Sequence, residues 1–266
     1  MSHVGNFVNA PVLPGSTRPA IELRGVTLDY GAHDIVTEVD LKIWPGETKI
    51  ILGPSGVGKS TLLKAILGLM KPKTGEIWVE GEEISKYSER DLLPFRLRMA
   101  MVFQHGALFD SMTVGDNVSY RLREYRLVDR EKIDTRVHEV LQFVGLHGAK
   151  KLKPGQLSGG MKKRVAIARA LVSDPNLFLF DEPTVGLDPV NHHNIEQLIL
   201  KLKQKKERSI VVVTHDVESA CRLADSIVML HQGKFIFEGS PAELKKQKDP
   251  RIQAFLDPAQ FSNLSN

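Results

Sequence analysis

With 266 residues, 42% of them hydrophobic and 26% charged, the chain has the balance of a globular protein and length enough for one large α/β domain with a sizeable core. No apolar run reaches the ~18 to 20 residues of a bilayer-spanning helix, so no transmembrane segment is expected. The net charge of +4 is too small to select nucleic acid or an anionic surface, and the single cysteine, Cys221, excludes an internal disulfide and fits a reducing cytoplasm.

The opening MSHVGNFVNAPVLPGSTRP lacks the basic start and continuous apolar segment of a secretory signal, and its Pro, Gly, Ser and Asn content predicts a loose arm over 1–19. Short strands are expected at Ile21-Glu22-Leu23, at Val26 to Tyr30 and at Val39 to Ile43, with turns at Gly31 and Pro45-Gly46. Tyr30 ends the second of these, where its ring either stacks on a purine or packs as an ordinary sheet tyrosine. Thr48 to Leu52 reads as a buried strand, and Leu62 to Leu67 as the first turns of a helix.

Between that strand and that helix stands GPSGVGKST, made of Gly53, Pro54, Ser55, Gly56, Val57, Gly58, Lys59, Ser60 and Thr61. A glycine-rich loop in this position is the arrangement of a phosphate-binding loop. The glycines let consecutive backbone N–H groups turn toward phosphate oxygens, and the helix N-terminus adds partial positive charge at the same point. Lys59 then reaches the β and γ phosphates and Ser60 holds Mg²⁺.

Pro72 and Gly75 break the helix, and Glu76 to Val79 suggests a further strand with Trp78 in the core. Met99 to Gln104 is an apolar strand finishing on an amide. Ligands of parallel sheets collect at carboxyl strand ends, so Gln104 is placed to reach Mg²⁺ or an attacking water. From about 105 to 172 helical signals take over. Arg130 to Leu146 carries Ile133, Val137, Val140, Leu141 and Val144 on one face, which predicts a helix packed inside an insertion between two halves of an α/β core. Near the end of the insertion, Leu157-Ser158-Gly159-Gly160-Met161 precedes another helix. Ser158 caps it and the glycines expose its first amides, giving either a second anion site or a plain capped helix. The lysine clusters at 150–153, 162–164 and 201–206 read as solvated faces.

Leu177 to Glu182 is an apolar strand ending in two carboxylates. After a phosphate loop, that form places Asp181 on Mg²⁺ and Glu182 near the γ-phosphate. Thr184 to Pro189 is a turn whose Gly186 and Asp188 are placed to touch a neighbouring subunit. A helix over Ile195 to Leu202 follows, then a buried strand, Ser209 to Thr214, that delivers His215 to the same sheet edge.

In this order and spacing, GPSGVGKST, Gln104, LSGGM, LFLFDE, Asp188 and His215 resemble the motifs of ABC transporter ATPase subunits over about residues 20–240. The resemblance implies a P-loop NTPase (RecA-like) α/β core with an N-terminal antiparallel β subdomain and an inserted α-helical signature subdomain at about 105–172, followed by a C-terminal extension over 241–266. It makes Gly53 to Thr61 the Walker A loop, Gln104 the Q-loop, Leu157 to Met161 the signature, Asp181 the Walker B acid, Glu182 the catalytic base, Asp188 the D-loop and His215 the switch histidine. Tyr30 falls at the adenine-stacking position. ATP and Mg²⁺ are the implied cofactors, with Ser60, Gln104 and Asp181 on the metal and Ser158, Gly159 and Gly160 reaching ATP from a second copy of the chain.

One departure narrows the resemblance: Met161 stands where most ABC ATPases carry glutamine. With FQHGALFDSMTVGDNV at 103–118 and DPRIQAFLDP at 249–258, it is similar to the MlaF-type ATPases of Mla and Mce phospholipid transport. That implies a homodimer at the cytoplasmic side of an inner membrane, working with an MlaE-like permease, an MCE-domain protein and a small STAS-domain subunit, with no nucleic acid partner. Leu108, Phe109 and Met112, apolar and just after Gln104, are expected either to line the groove that receives a permease helix or to be buried within the helical subdomain. Competing readings are a transporter of another solute and a non-transport ABC ATPase acting in DNA repair or translation, which usually carries paired cassettes or a long coiled coil. A GTPase or kinase is disfavoured by the absence of an Asn-Lys-x-Asp pattern and because LSGGM has no role in either.

Overall fold

The computed structural model describes residues 16–31 and 33–257. The expected N-terminal arm up to residue 15 and the last nine residues of the C-terminal extension lie outside the described residues. The described residues form the strands β1 (Ile21–Asp29), β2 (Asp34–Ile43), β3 (Thr48–Leu52), β4 (Thr74–Val79), β5 (Glu82–Glu83), β6 (Met99–Val102), β7 (Leu177–Asp181), β8 (Ser209–Thr214), β9 (Ser226–His231) and β10 (Lys234–Gly239). The α-helices are α1 (Lys59–Ile66), α2 (Glu89–Arg98), α3 (Val114–Glu124), α4 (Arg130–Phe143), α5 (Gly159–Leu171), α6 (Pro189–Lys203), α7 (Val217–Leu223), α8 (Pro241–Leu244) and α9 (Pro250–Leu256). Among the described residues no helix is long and apolar enough to cross a membrane.

The strands make two sheets, one antiparallel in the order β2-β1-β4-β5 and one in the order β10-β9-β3-β8-β7-β6, where only the β10–β9 pairing is antiparallel. The first two expected strands are one: β1 runs through Arg24-Gly25 with a shift in register, and the Gly25 amide donates to Asp40 Oδ1 at 2.9 Å. A bulge absorbs the glycine that otherwise marks a turn. Trp78 is not in the core; it is half-buried under the Arg24 guanidinium, 4.5 Å from the ring centre, and its Nε1 donates to Glu76. β9 and β10 lie beyond the last motif and are not anticipated, yet β9 pairs directly with β3.

Alternation along the parallel strands sorts their side chains into two cores, because successive residues of a strand point to opposite faces. Ile51, Leu179, Val211, Val213 and Val228 join α1 and the antiparallel sheet. Ile50, Leu52, Phe178, Phe180, Ile210 and Val212 face the helical side, and Val118, Leu122, Val137, Leu141, Val165 and Ile167 of α3, α4 and α5 belong to that same cluster. The helices therefore pack on the sheet itself. α4 ends at Phe143, three residues short of the expected Leu146, because Gly145 takes a positive φ of 69°.

The carboxyl ends of the parallel strands finish level. Leu52 of β3 is opposite Thr214 of β8, Asp181 of β7 opposite Val213, and Val102 of β6 opposite Phe180. Each strand thus delivers its next residues to one edge of the sheet, where the loop after β3 begins.

Candidate nucleotide-binding site

The loop from Gly53 to Gly58 crosses that edge and enters α1. A Cβ on Gly53 would sit 2.2 Å from the Leu230 carbonyl oxygen of β9, so only glycine lets β3 run this close to its neighbour. Gly58, with φ 106°, turns the chain into α1, and a side chain there would also strike Ile35 and Val36 of β2. Lys59 is almost wholly buried, and its ammonium curls back to donate to the carbonyls of Gly53 at 2.9 Å and Pro54 at 2.8 Å. Val57 packs into the apolar core instead of facing the opening.

Four other sequence positions converge on this loop. Ser60 Oγ donates to Asp181 Oδ1 at 2.6 Å. Glu182 Oε1 lies 3.3 Å from Lys59 Nζ, and both its carboxylate oxygens are 3.1 Å from His215 Nδ1. Glu182 itself sits in the left-handed region, with φ 44°, its amide donating to the Val213 carbonyl at 3.0 Å. A glutamate in that conformation costs on the order of 1 kcal/mol, and strain of this kind gathers at functional sites. A cavity of about 370 Å³ opens over the group, lined by Tyr30, Ser55, Gly56, Gly58, Lys59, Ser60, Thr61, Gln104, Glu182 and His215, with Ile35 and Val185. Tyr30 is 64% exposed at the rim, so its ring is open for stacking and does not pack as a sheet tyrosine. Ile35 and Val185 belong to no motif, and only proximity finds them.

The signature residues do not line this cavity. Ser158 caps α5, accepting from the Met161 amide at 3.3 Å, and Ser158 and Gly159 are exposed. Gly160 is buried against α6, where a Cβ would meet Asn191 Oδ1 at 2.2 Å. Asn191 in turn donates to both carboxylate oxygens of Asp188, at 2.9 and 2.6 Å, and these bonds hold the Asp188 carboxyl below the usual carboxylate range. Asp188 is the N-cap of α6.

Not all of the lysine clusters are solvated faces. Lys163, in the middle of one, is only 7% exposed; its ammonium donates to the main-chain carbonyls of Gln104 and, at 3.3 Å, Glu182. Burial pushes this amine below the ordinary lysine range, against the pull of Asp181 and Glu182. Arg169, further along α5, donates to the carbonyls of Ala107 at 2.6 Å and Gly106 at 2.7 Å. The apolar positions after Gln104 also divide: Phe109 lines a groove of about 320 Å³ with Leu93, Leu97, Met101, Tyr120 and Tyr125, whereas Leu108 packs on the core and Met112 is not in the groove lining.

Residues 36–185 match the family model described as ABC transporter. The chain belongs to the ABC transporter family. This ABC cassette is 41% identical over 237 residues to the intermembrane phospholipid transport system ATP-binding protein MlaF of Escherichia coli strain K12, which covers 89% of the chain and 88% of that protein. It is 40% identical over 238 residues to the probable ribonucleotide transport ATP-binding protein mkl of Mycobacterium leprae, covering 90% of the chain and 69% of that protein. Among solved structures, it is similar to the ATP-binding cassette MJ0796, captured as a dimer in a post-hydrolysis state with ADP and Pi, at a TM-score of 0.77 and 35% identity over 83% of the chain and 98% of MJ0796. The protein is an ABC-type ATPase of the P-loop fold.

Proposed function

We propose that the chain is the ATPase subunit of an Mla/Mce-type transporter, hydrolysing ATP to move phospholipid between inner and outer membranes. The convergence of Lys59, Ser60, Gln104, Glu182 and His215 on one strand-end cavity, with the buried Asp181 carboxylate accepting from Ser60 beside it, carries the ATPase part of the reading. The phospholipid part rests on the likeness to MlaF, an intermembrane phospholipid transport ATP-binding protein, and on Met161 in the signature. The likeness to mkl, a probable ribonucleotide transport ATP-binding protein, favours another solute as the second reading. Lipid recovered with the complex from solubilised membranes decides between them.

In this site Tyr30 stacks on adenine, the amides of Ser55 to Thr61 and the Lys59 ammonium hold the phosphates, and Glu182 takes a proton from the attacking water while His215 orients its carboxylate. A hydroxyl touching a carboxylate beside a phosphate loop, as Ser60 and Asp181 do, is a fitting donor set for Mg²⁺, which binds few protein ligands and keeps phosphate and water in the remaining positions. When bound, Mg²⁺ would neutralise phosphate charge, and Gln104, which lines the same cavity, would be its further contact.

Two copies lie head to tail, each presenting Ser158, Gly159 and Gly160 to the ATP of its twin, with Asp188 at the contact. What supports this is the exposed cap at Ser158 outside the lining of its own chain's cavity. Ser158→Arg is then expected to lose ATP-induced dimerisation and to slow turnover on the order of 100-fold, as for loss of a charge-stabilising donor. Affinity of the isolated monomer for ATP stays within about twofold, since the substituted group lies in the other half of the site. Wild-type dimerisation and turnover in this variant would reject the two-chain site, and weakened binding by the monomer would put Ser158 in its own chain's pocket.

The dimer sits on the cytoplasmic side of the inner membrane, bound to an MlaE-like permease with an MCE-domain protein and a small STAS-domain subunit. Phe109, with its ring 4.9 Å from that of Tyr120, forms the wall of the groove assigned to a permease helix. An anchor in such a groove contributes about 2 kcal/mol, so Phe109→Glu is expected to weaken recovery of the membrane subunit roughly 30-fold while ATPase activity of the free cassette persists. Undiminished co-purification removes the groove from the interface.

A further inference from the structure

We propose that Lys163 is a positioning residue for hydrolysis, fixing the main chain of Gln104 and of Glu182 to the signature helix α5 through one buried ammonium. The proposal rests on the reading of Glu182 as the group that activates water.

Lys163 is placed by α5 with Asp181 and Glu182 acting on its charge, yet its hydrogen bonds go to no carboxylate. Its ammonium reaches two main-chain carbonyls, and they belong to the two residues whose side chains enter the nucleotide cavity from β6 and β7. No ion pair of Lys163 with a carboxylate is found among the described residues. A buried cation hydrogen-bonded to main-chain carbonyls, with no carboxylate paired to it, carries a desolvation cost that a methionine of similar length would not, so packing alone gives no reason for it.

Glu182 gives the reason. Its φ of 44° aims the carboxylate at Lys59 and His215, and a non-glycine residue relaxes out of that region unless both of its peptide groups are held. The Val213 carbonyl holds its amide at 3.0 Å, and Lys163 holds its carbonyl at 3.3 Å. The same ammonium grips the Gln104 carbonyl, so a displacement of α5, the helix that Ser158 caps, reaches both sides of the cavity together. Arg169 supplies an internal comparison: it ties α5 to the same loop at Gly106 and Ala107 without touching Glu182.

The test uses the purified full-length homodimer with Lys163→Met, Lys163→Arg and Arg169→Met, and Glu182→Gln alongside. Misplacing a reacting group by an ångström costs on the order of 100-fold, so Lys163→Met is expected to lower kcat by roughly 10- to 100-fold. ATP affinity should stay within about twofold and Tm should not fall, a split that separates positioning from lost structure. Lys163→Arg, which keeps the donors, should recover part of kcat, and Arg169→Met should cost less than Lys163→Met. Should Lys163→Met give no folded protein, Lys163→Gln carries the same expectation, because its shorter amide cannot hold both carbonyls. Wild-type kcat in Lys163→Met, an equal loss in Arg169→Met, or kcat, affinity and Tm falling together would each overturn the proposal. If Glu182→Gln hydrolyses ATP normally, the reading of Glu182 itself falls; if Glu182→Gln is inactive and Lys163→Met is not impaired, only the role of Lys163 falls.

Discussion

Glu182→Gln is expected to stop ATP turnover while leaving nucleotide bound and the two chains closed around it. The carboxylate lies 3.3 Å from the Lys59 ammonium and 3.1 Å from His215 Nδ1, at the end of the strand that delivers it to the cavity. Glutamine fills the same space, so the packing survives, but its amide cannot accept a proton from water. Loss of a general base costs roughly 100- to 10,000-fold in rate. Binding should hold or tighten, because a negative charge that faces the incoming phosphates has been removed, and like charges at such distances repel. Single-turnover hydrolysis measures the first effect, and retention of ATP by the dimer on size-exclusion chromatography measures the second. Hydrolysis near the wild-type rate would take Glu182 out of the chemistry.

Lys59→Ala should instead fail at binding. The Lys59 ammonium is held by the Gly53 and Pro54 carbonyls and by Glu182, at the loop that would cradle the β and γ phosphates. Alanine leaves those acceptors facing phosphate oxygens with no cation between them. A hydrogen bond to a charged group contributes about 1.5–3 kcal/mol, which corresponds to a loss in ATP affinity of roughly 10- to 100-fold. Titration of a fluorescent ATP analogue reads this directly. Unchanged affinity together with full activity would contradict the phosphate role of the whole Gly53 to Thr61 loop. The two variants are thus separable: one binds without turning over, the other hardly binds.

The strands that carry these groups were legible because their signals are local. Thr48–Leu52 and Ser209–Thr214 are bounded as the apolar runs predict, and Leu177–Asp181 stops one residue earlier only because Glu182 leaves extended geometry. β1 misled because a glycine in a bulge and a glycine in a turn look the same in sequence. Trp78 misled for a similar reason: a large ring in a strand is buried or not according to what lies over it, and Arg24 lies over this one.

The sequence by itself determined the kind of chemistry: which strand ends bear Gln104, Asp181, Glu182 and His215, and that a phosphate loop opens a helix among them at Lys59. Those are properties of short stretches, where backbone requirements restrict the residue types. Only the tertiary structure decided the burial of Lys163 between carbonyls 59 and 19 residues away, the choice of Phe109 over Leu108 as groove wall, and the packing of Gly160 on Asn191. The reason is physical: whether a charge is solvated or an apolar group exposed depends on which distant segment packs against it, and a run of lysines carries no record of that neighbour.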